Sequence, residues 1–195
     1  MPLTYFGPIS WWTILRDNKD NIIFDIHHNY VKQTYRNRCS IQSSNGKLNL
    51  SIPITKTFGN HTPFKDIKID KSQNWQRIHI KSIKSAYKSS PYYDYLIEEI
   101  IYIWEKKYNF LIDVCLDSLE GISKLLKLDL SYILSSEYID INDNTSKNYT
   151  DLRYVGEFNN YLNYPLSEYT QVFSDRFYFM NDLSILDKLF NINYL

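Results

Sequence analysis

Cysteine is scarce in this chain: Cys39 and Cys115 stand alone, with no paired spacing and no metal-type cluster around either. That excludes a disulfide framework and suits a reducing compartment, so a cytoplasmic location is expected. Long apolar runs are lacking too. The longest, Tyr92 to Trp104, is interrupted by Asp94, Glu98 and Glu99, which excludes a membrane-spanning helix. The opening MPLTYFGPISWWTIL has no basic n-region and no small-residue cleavage site, so no signal peptide is expected. No internal repeat is visible, and no histidine or cysteine stands at zinc spacing, so neither metal nor cofactor is expected.

What is present is a globular composition. Hydrophobic residues make up 44% and charged residues 23% of 195 positions, enough to bury a real core, and one domain over 1–195 is expected. Formal net charge is zero, but the charge is segregated. Residues 31–88 hold twelve Lys/Arg against Asp66 and Asp70 alone, whereas residues 89–195 hold eight Lys/Arg against seventeen Asp/Glu. Such segregation marks either an anion-binding face or two halves that neutralise one another on packing.

The most informative stretch is Tyr30 to Ile54. Two runs flank Ser43-Ser44-Asn45-Gly46, and an Asn-Gly pair supplies the positive backbone angles of a tight turn, so a β-hairpin over 35–54 is expected. Strand alternation puts Arg36, Arg38, Ser40 and Gln42 on one face, and Leu48, Leu50, Ile52 and Ile54 on the core face of the second strand. With Lys32 just before them, the two guanidiniums suit a phosphate or carboxylate, which the planar fork grips bidentately. A solvated or salt-bridged face is the competing explanation.

Elsewhere strand and helix signals alternate. Leu3 to Phe6 reads as a strand, a helix capped by Ser10 follows, and Asn21 to Ile26 is a second strand, the opening of a βαβ unit. Folds of that kind place ligands at the carboxyl ends of strands, here near Tyr5-Phe6-Gly7 and Asp25-Ile26-His27-His28. His27 could serve as a general base with Asp25 on the same side, although a plain polar strand end is the simpler explanation of the pair. Asp66 to Asp70 alternates like an edge strand. Trp75 to Tyr87 has a helical period with Arg77, Lys81, Lys84 and Lys88 on the face opposite the apolar stripe, open to a polyanion, an acidic membrane surface or water alone. Helices are expected over Tyr92–Lys106 and Phe110–Leu126, a strand over Leu128–Ser135, a polar loop over Asp140–Asp151, a last strand at Tyr169–Phe173 and a final helix capped by Asp182. Together these give an α/β domain with a mostly parallel sheet, flanking helices and the hairpin; a mixed α+β sheet is the alternative.

Tyr30-Val31-Lys32-Gln33-Thr34-Tyr35-Arg36-Asn37-Arg38, followed by Leu50-Ser51-Ile52-Pro53-Ile54, resembles the bacterial WbqC-like family, named for a protein of surface-polysaccharide (O-antigen) gene clusters. Thr4-Tyr5-Phe6-Gly7-Pro8, the Trp-led helix from Trp75, Asp151-Leu152-Arg153 and the closing Asp182 to Asn191 fit the same family in order. The opening lacks the histidine many members carry, and the second half lacks their glycine-rich turn. The resemblance implies a cytoplasmic enzyme of polysaccharide biosynthesis, an acyl- or aminoacyl-type transferase, or a non-catalytic partner of that pathway. In the transferase reading Lys32, Arg36 and Arg38 hold a donor phosphate, Tyr5 and Asn37 position the acceptor, Arg153 contributes from its loop, and His27 or Asp182 moves a proton. The expected partners are a phosphate-containing or sugar small molecule and proteins of the same pathway. No nucleic-acid module fingerprint occurs, so nucleic acid is not expected.

Overall fold

The computed structural model describes residues 1–140, 150–153 and 166–195. Pro8 enters the first helix, α1 (Ile9–Asp17), which buries Trp11, Trp12 and Leu15 and leads into β1 (Ile22–Phe24). The hairpin turn forms with Ser44 and Asn45 between β2 (Arg38–Ser43) and β3 (Gly46–Ser51); Gly46, opposite Ser43, takes φ 99°, while Asn45 does not take the positive angle expected of it. Their register is antiparallel, with Arg38 opposite Ser51 and Ser43 opposite Gly46. β4 (Ile54–Thr55) and β5 (Lys68–Ile69) form a second, very short antiparallel pair.

Four helices follow: α2 (Trp75–Tyr87), α3 (Tyr93–Ile100), α4 (Tyr102–Glu105) and α5 (Leu111–Leu126). The single helix expected over Tyr92–Lys106 is thus interrupted at Ile101. There the Trp104 amide bonds back only three residues to the Ile101 carbonyl, a local tightening that ends the regular ladder. β6 (Tyr132–Leu134) and α6 (Ile185–Ile192) complete the described elements. One hydrophobic cluster runs from Leu3 to Phe190, joining the amino-terminal loop, hairpin and all six helices.

The sheet content corrects the expectation of a mostly parallel sheet. The described strands form three separate pairs, β1–β6 parallel, β2–β3 antiparallel and β4–β5 antiparallel, so the chain is mixed α/β. Two expected strands do not form. Leu3 to Phe6 is buried but irregular, because Phe6 turns to φ 43° ahead of Gly7-Pro8. Tyr169 to Phe173 is coil, and the Phe173 amide donates to the side chain of Gln42 and not to a strand.

The hairpin also differs from its expected faces. Leu48 is exposed, whereas Leu50 and Ile52 are buried. Ser40 and Gln42 are buried as well, because the carboxy-terminal segment covers them: the Ser184 amide donates to the Ser40 carbonyl and Phe173 to Gln42. Arg36 lies in the turn before β2, where strand alternation does not operate.

Candidate functional site

A parallel pair presents the carboxyl ends of both strands at one end of the sheet, and here that end gathers polar groups. Just past β1, Asp25 is buried and fully engaged. Its Oδ1 accepts from the amides of His27 (3.2 Å) and His28 (3.1 Å) and from Ser135 Oγ (3.2 Å), which follows β6. Its Oδ2 takes an N–H of Arg153 at 3.2 Å. Arg153 in turn holds Asp151 through Nε (3.0 Å) and Nη2 (2.9 Å), the forked contact a planar guanidinium favours. That pairing holds the Asp151 carboxyl below its ordinary range, and Asp151 raises Arg153 above its own.

Asp25, Asp151 and Arg153 line a cavity of about 550 Å³ that runs along β1 and β6 from Asn18, Asp20, Asn21 and Ser131 at their amino ends, with Ile22, Ile23 and Tyr132 in its apolar wall. Met1 lies along the free edge of β1, its amino group donating to the Ile23 carbonyl and its carbonyl accepting from the Asp25 amide. Burial pulls that amino group down to about 6, while Asp151 and Asp25 act the other way.

Beside the ion pair, the ring of His28 stacks on Tyr138 at 6.1 Å and the Arg153 guanidinium sits 5.7 Å from the same ring. His28 Nδ1 is buried and makes no hydrogen bond among the described residues. Burial lowers the His28 pKa, and the positive charges of Arg36 and Arg153 lower it further, so the imidazole is held neutral. Three carboxylates, Asp20, Asp25 and Asp151, and one guanidinium, Arg153, line the cavity, so its charged wall is predominantly acidic. An arrangement of this kind suits the hydroxyl groups of a neutral polyol, which both donate to carboxylates and accept from guanidinium, better than it suits a bare polyanion.

The residues singled out in the sequence fall into separate places. Arg153 lines the cavity, and the half-buried His27 adjoins it through its amide bond to Asp25. Arg36 is buried and acts electrostatically on His28 and on the Met1 amino group. Arg38 begins β2, with its Nε buried and without a hydrogen bond among the described residues. Lys32 is exposed. Asn37 ties the hairpin base, accepting from Tyr30 Oη (2.7 Å) and donating to the Ile52 carbonyl (2.8 Å). Tyr5 has no exposed surface; its hydroxyl accepts from Trp104 Nε1 (2.8 Å) and bonds His79 Nδ1 (2.9 Å). Asp182 accepts from the Ser10 amide (2.8 Å) and hydroxyl (2.7 Å), capping α1, while Ser184 caps α6.

His28, named at the strand end, and Asp151, named in the Asp-Leu-Arg motif, join the cluster although neither had been given a site role. Ser135 and Tyr138 join it without having been named. They are assembled by the β1–β6 pairing, which no local pattern announces. Among the described residues no three His, Cys, Asp or Glu side chains converge as metal ligands, and no helix is long and apolar enough to cross a membrane.

The fold and cavity define a mixed α/β protein with a small-molecule-sized cavity alongside a parallel strand pair. The chain belongs to the WbqC-like protein family, whose model matches residues 4–164. The matched stretch includes β1, the hairpin, β6 and Arg153; the closing segment from Asp182 lies beyond it. No curated protein and no solved structure matches the chain.

Proposed function

We propose that the protein is an acyl- or aminoacyl-type transferase that acts on a sugar in bacterial surface-polysaccharide biosynthesis, with the cavity beside β1 and β6 as the sugar subsite. The observation that carries this reading is the cavity itself: about 550 Å³, within the range of small-molecule sites, lined by three carboxylates, a guanidinium and an aromatic ring. Asp151 and Arg153 would take sugar hydroxyls, with Asp25 fixing the guanidinium. His28, whose imidazole burial and the neighbouring arginines hold neutral, and His27 beside it follow β1 and would accept the proton released as a sugar hydroxyl or amine attacks the acyl carbon. Arg36, on the His28 side, and Arg38 and Lys32 beyond it supply positive charge toward a phosphate-activated donor.

One observation favours a second reading, a non-catalytic binding partner in the same pathway. Asp25 and Arg153 satisfy each other so fully that the cluster also stands as a purely structural clasp. Thermal denaturation with a panel of free sugars, amino sugars and nucleotide sugars separates these. The transferase reading expects one sugar class to raise Tm by roughly 5 °C at a hundredfold excess over Kd. Asp151→Asn should abolish the shift while Asp25 still holds Arg153. Product formed from the stabilising sugar and an acyl-phosphate or nucleotide-activated donor supports transfer; a Tm shift with no product supports the binding partner. No shift with any sugar removes both.

A further inference from the structure

Helix α2 and its carboxy-terminal cap carry positive charge alone. Arg77, Lys81, Lys84 and Lys88 recur at spacings of four, three and four, which places all four within one narrow arc of a 3.6-residue helix over about 16 Å. All four are exposed, and the opposite face buries Trp75, His79, Ile83, Ala86 and Tyr87. The outward arc therefore plays no part in packing the core. From Lys71 to Tyr93 the sequence has no Asp or Glu. Among the described residues none of these four cations forms an ion pair, whereas Lys106 is paired with Asp117 (2.6 Å) and Lys124 with Glu99 (2.8 Å). At the flank of the arc Ile78, an aliphatic side chain, is 55% exposed.

We propose that this face docks the protein on an anionic lipid bilayer. A straight row of like charges on a single helix face matches a flat, diffusely charged surface, and three of the four are lysines, point charges suited to mobile head groups and not to a fixed bidentate ligand. Nucleic acid fits less well: no aromatic side chain lies in the arc to stack a base, and Arg77 is its only guanidinium. Because the apolar face of α2 is already buried in the protein, attachment is peripheral, electrostatic and sensitive to salt, with Ile78 adding a small apolar contact. The inference does not depend on the sugar reading, since α2 contributes nothing to the cavity.

The test is co-sedimentation of the full chain with phosphatidylcholine vesicles, with and without one third phosphatidylglycerol, at low and high salt. Binding to the anionic vesicles alone, lost at high salt, is expected. Changing Arg77, Lys81, Lys84 and Lys88 to Gln should lower partitioning roughly fivefold per cation removed. A control with Lys19, Lys68, Lys107 and Lys127 changed to Gln has the same formal charge, 0 − 4 = −4, and should keep most of the binding. Circular dichroism checks that both variants fold. Equal loss in the two variants, equal binding to neutral vesicles, or no vesicle binding alongside salt-dependent retention of single-stranded RNA would each overturn the proposal.

Discussion

A buried hydrogen-bond chain, Trp104 to Tyr5 to His79 to the Ser51 carbonyl, is the clearest case of single residues setting a property of this protein. Trp104 Nε1 donates to Tyr5 Oη, and His79 Nε2 lies 3.2 Å from the Ser51 carbonyl. If Nε2 carries the proton, Nδ1 accepts from Tyr5 and every polar atom of the chain is used. The neutral imidazole fits that arrangement, and burial pulls its pKa down to about 4 from 6.5. Unfolding releases His79 to titrate near 6.5, so the stabilisation is complete above that value and drains as pH falls from 6.5 to about 4. The loss attributable to His79 is on the order of 3 kcal/mol. Urea titrations at pH 7 and pH 5 should therefore show a marked fall for the wild type and a smaller one for His79→Gln. Parallel falls in the two proteins would place the acid sensitivity elsewhere. Tyr5, expected near a strand end to position an acceptor, instead belongs to the interior through this chain.

At the level of elements, local signals were legible and pairings were not. The hairpin turn, the helical period of α2 and α5 and the start of β1 follow from neighbouring residues alone. The parallel sheet was over-read because buried apolar runs such as Leu3 to Phe6 look like strands, yet positive φ at Phe6 turns the chain away from extension. Asp182 illustrates the same limit. An aspartate ahead of an apolar helix signals a local cap, but its carboxylate reaches 172 residues back to Ser10, and Ser184 caps α6 in its place. Asp182→Ala should then destabilise the protein by about 1–2 kcal/mol. In hydrogen exchange, protection should fall first at the start of α1, at the Ser10 amide, with α6 still protected at Leu186. The reverse order would mean that Asp182 serves α6 after all. The cavity was half legible: the Asp25 end of β1 and Arg153 could each be picked out, but only the β1–β6 pairing brings them together.

Across the whole molecule, zero net charge conceals two surfaces of different character. The cavity wall is predominantly acidic and offers carboxylates to hydroxyl groups, while the cations of α2 face solvent without an ion pair among the described residues. The basic half is therefore not used up in neutralising the acidic half. Ligand recognition in the cavity alongside β1 and β6 is tested most directly by amide chemical-shift mapping by NMR during titration with the sugar that raises Tm. Shifts should cluster at Ile22 to His28, Ser131 to Ser135 and Thr150 to Arg153, and should vanish in Asp151→Asn. Shifts confined to the hairpin base around Lys32 and Arg38, with the β1–β6 pair unmoved, would contradict it.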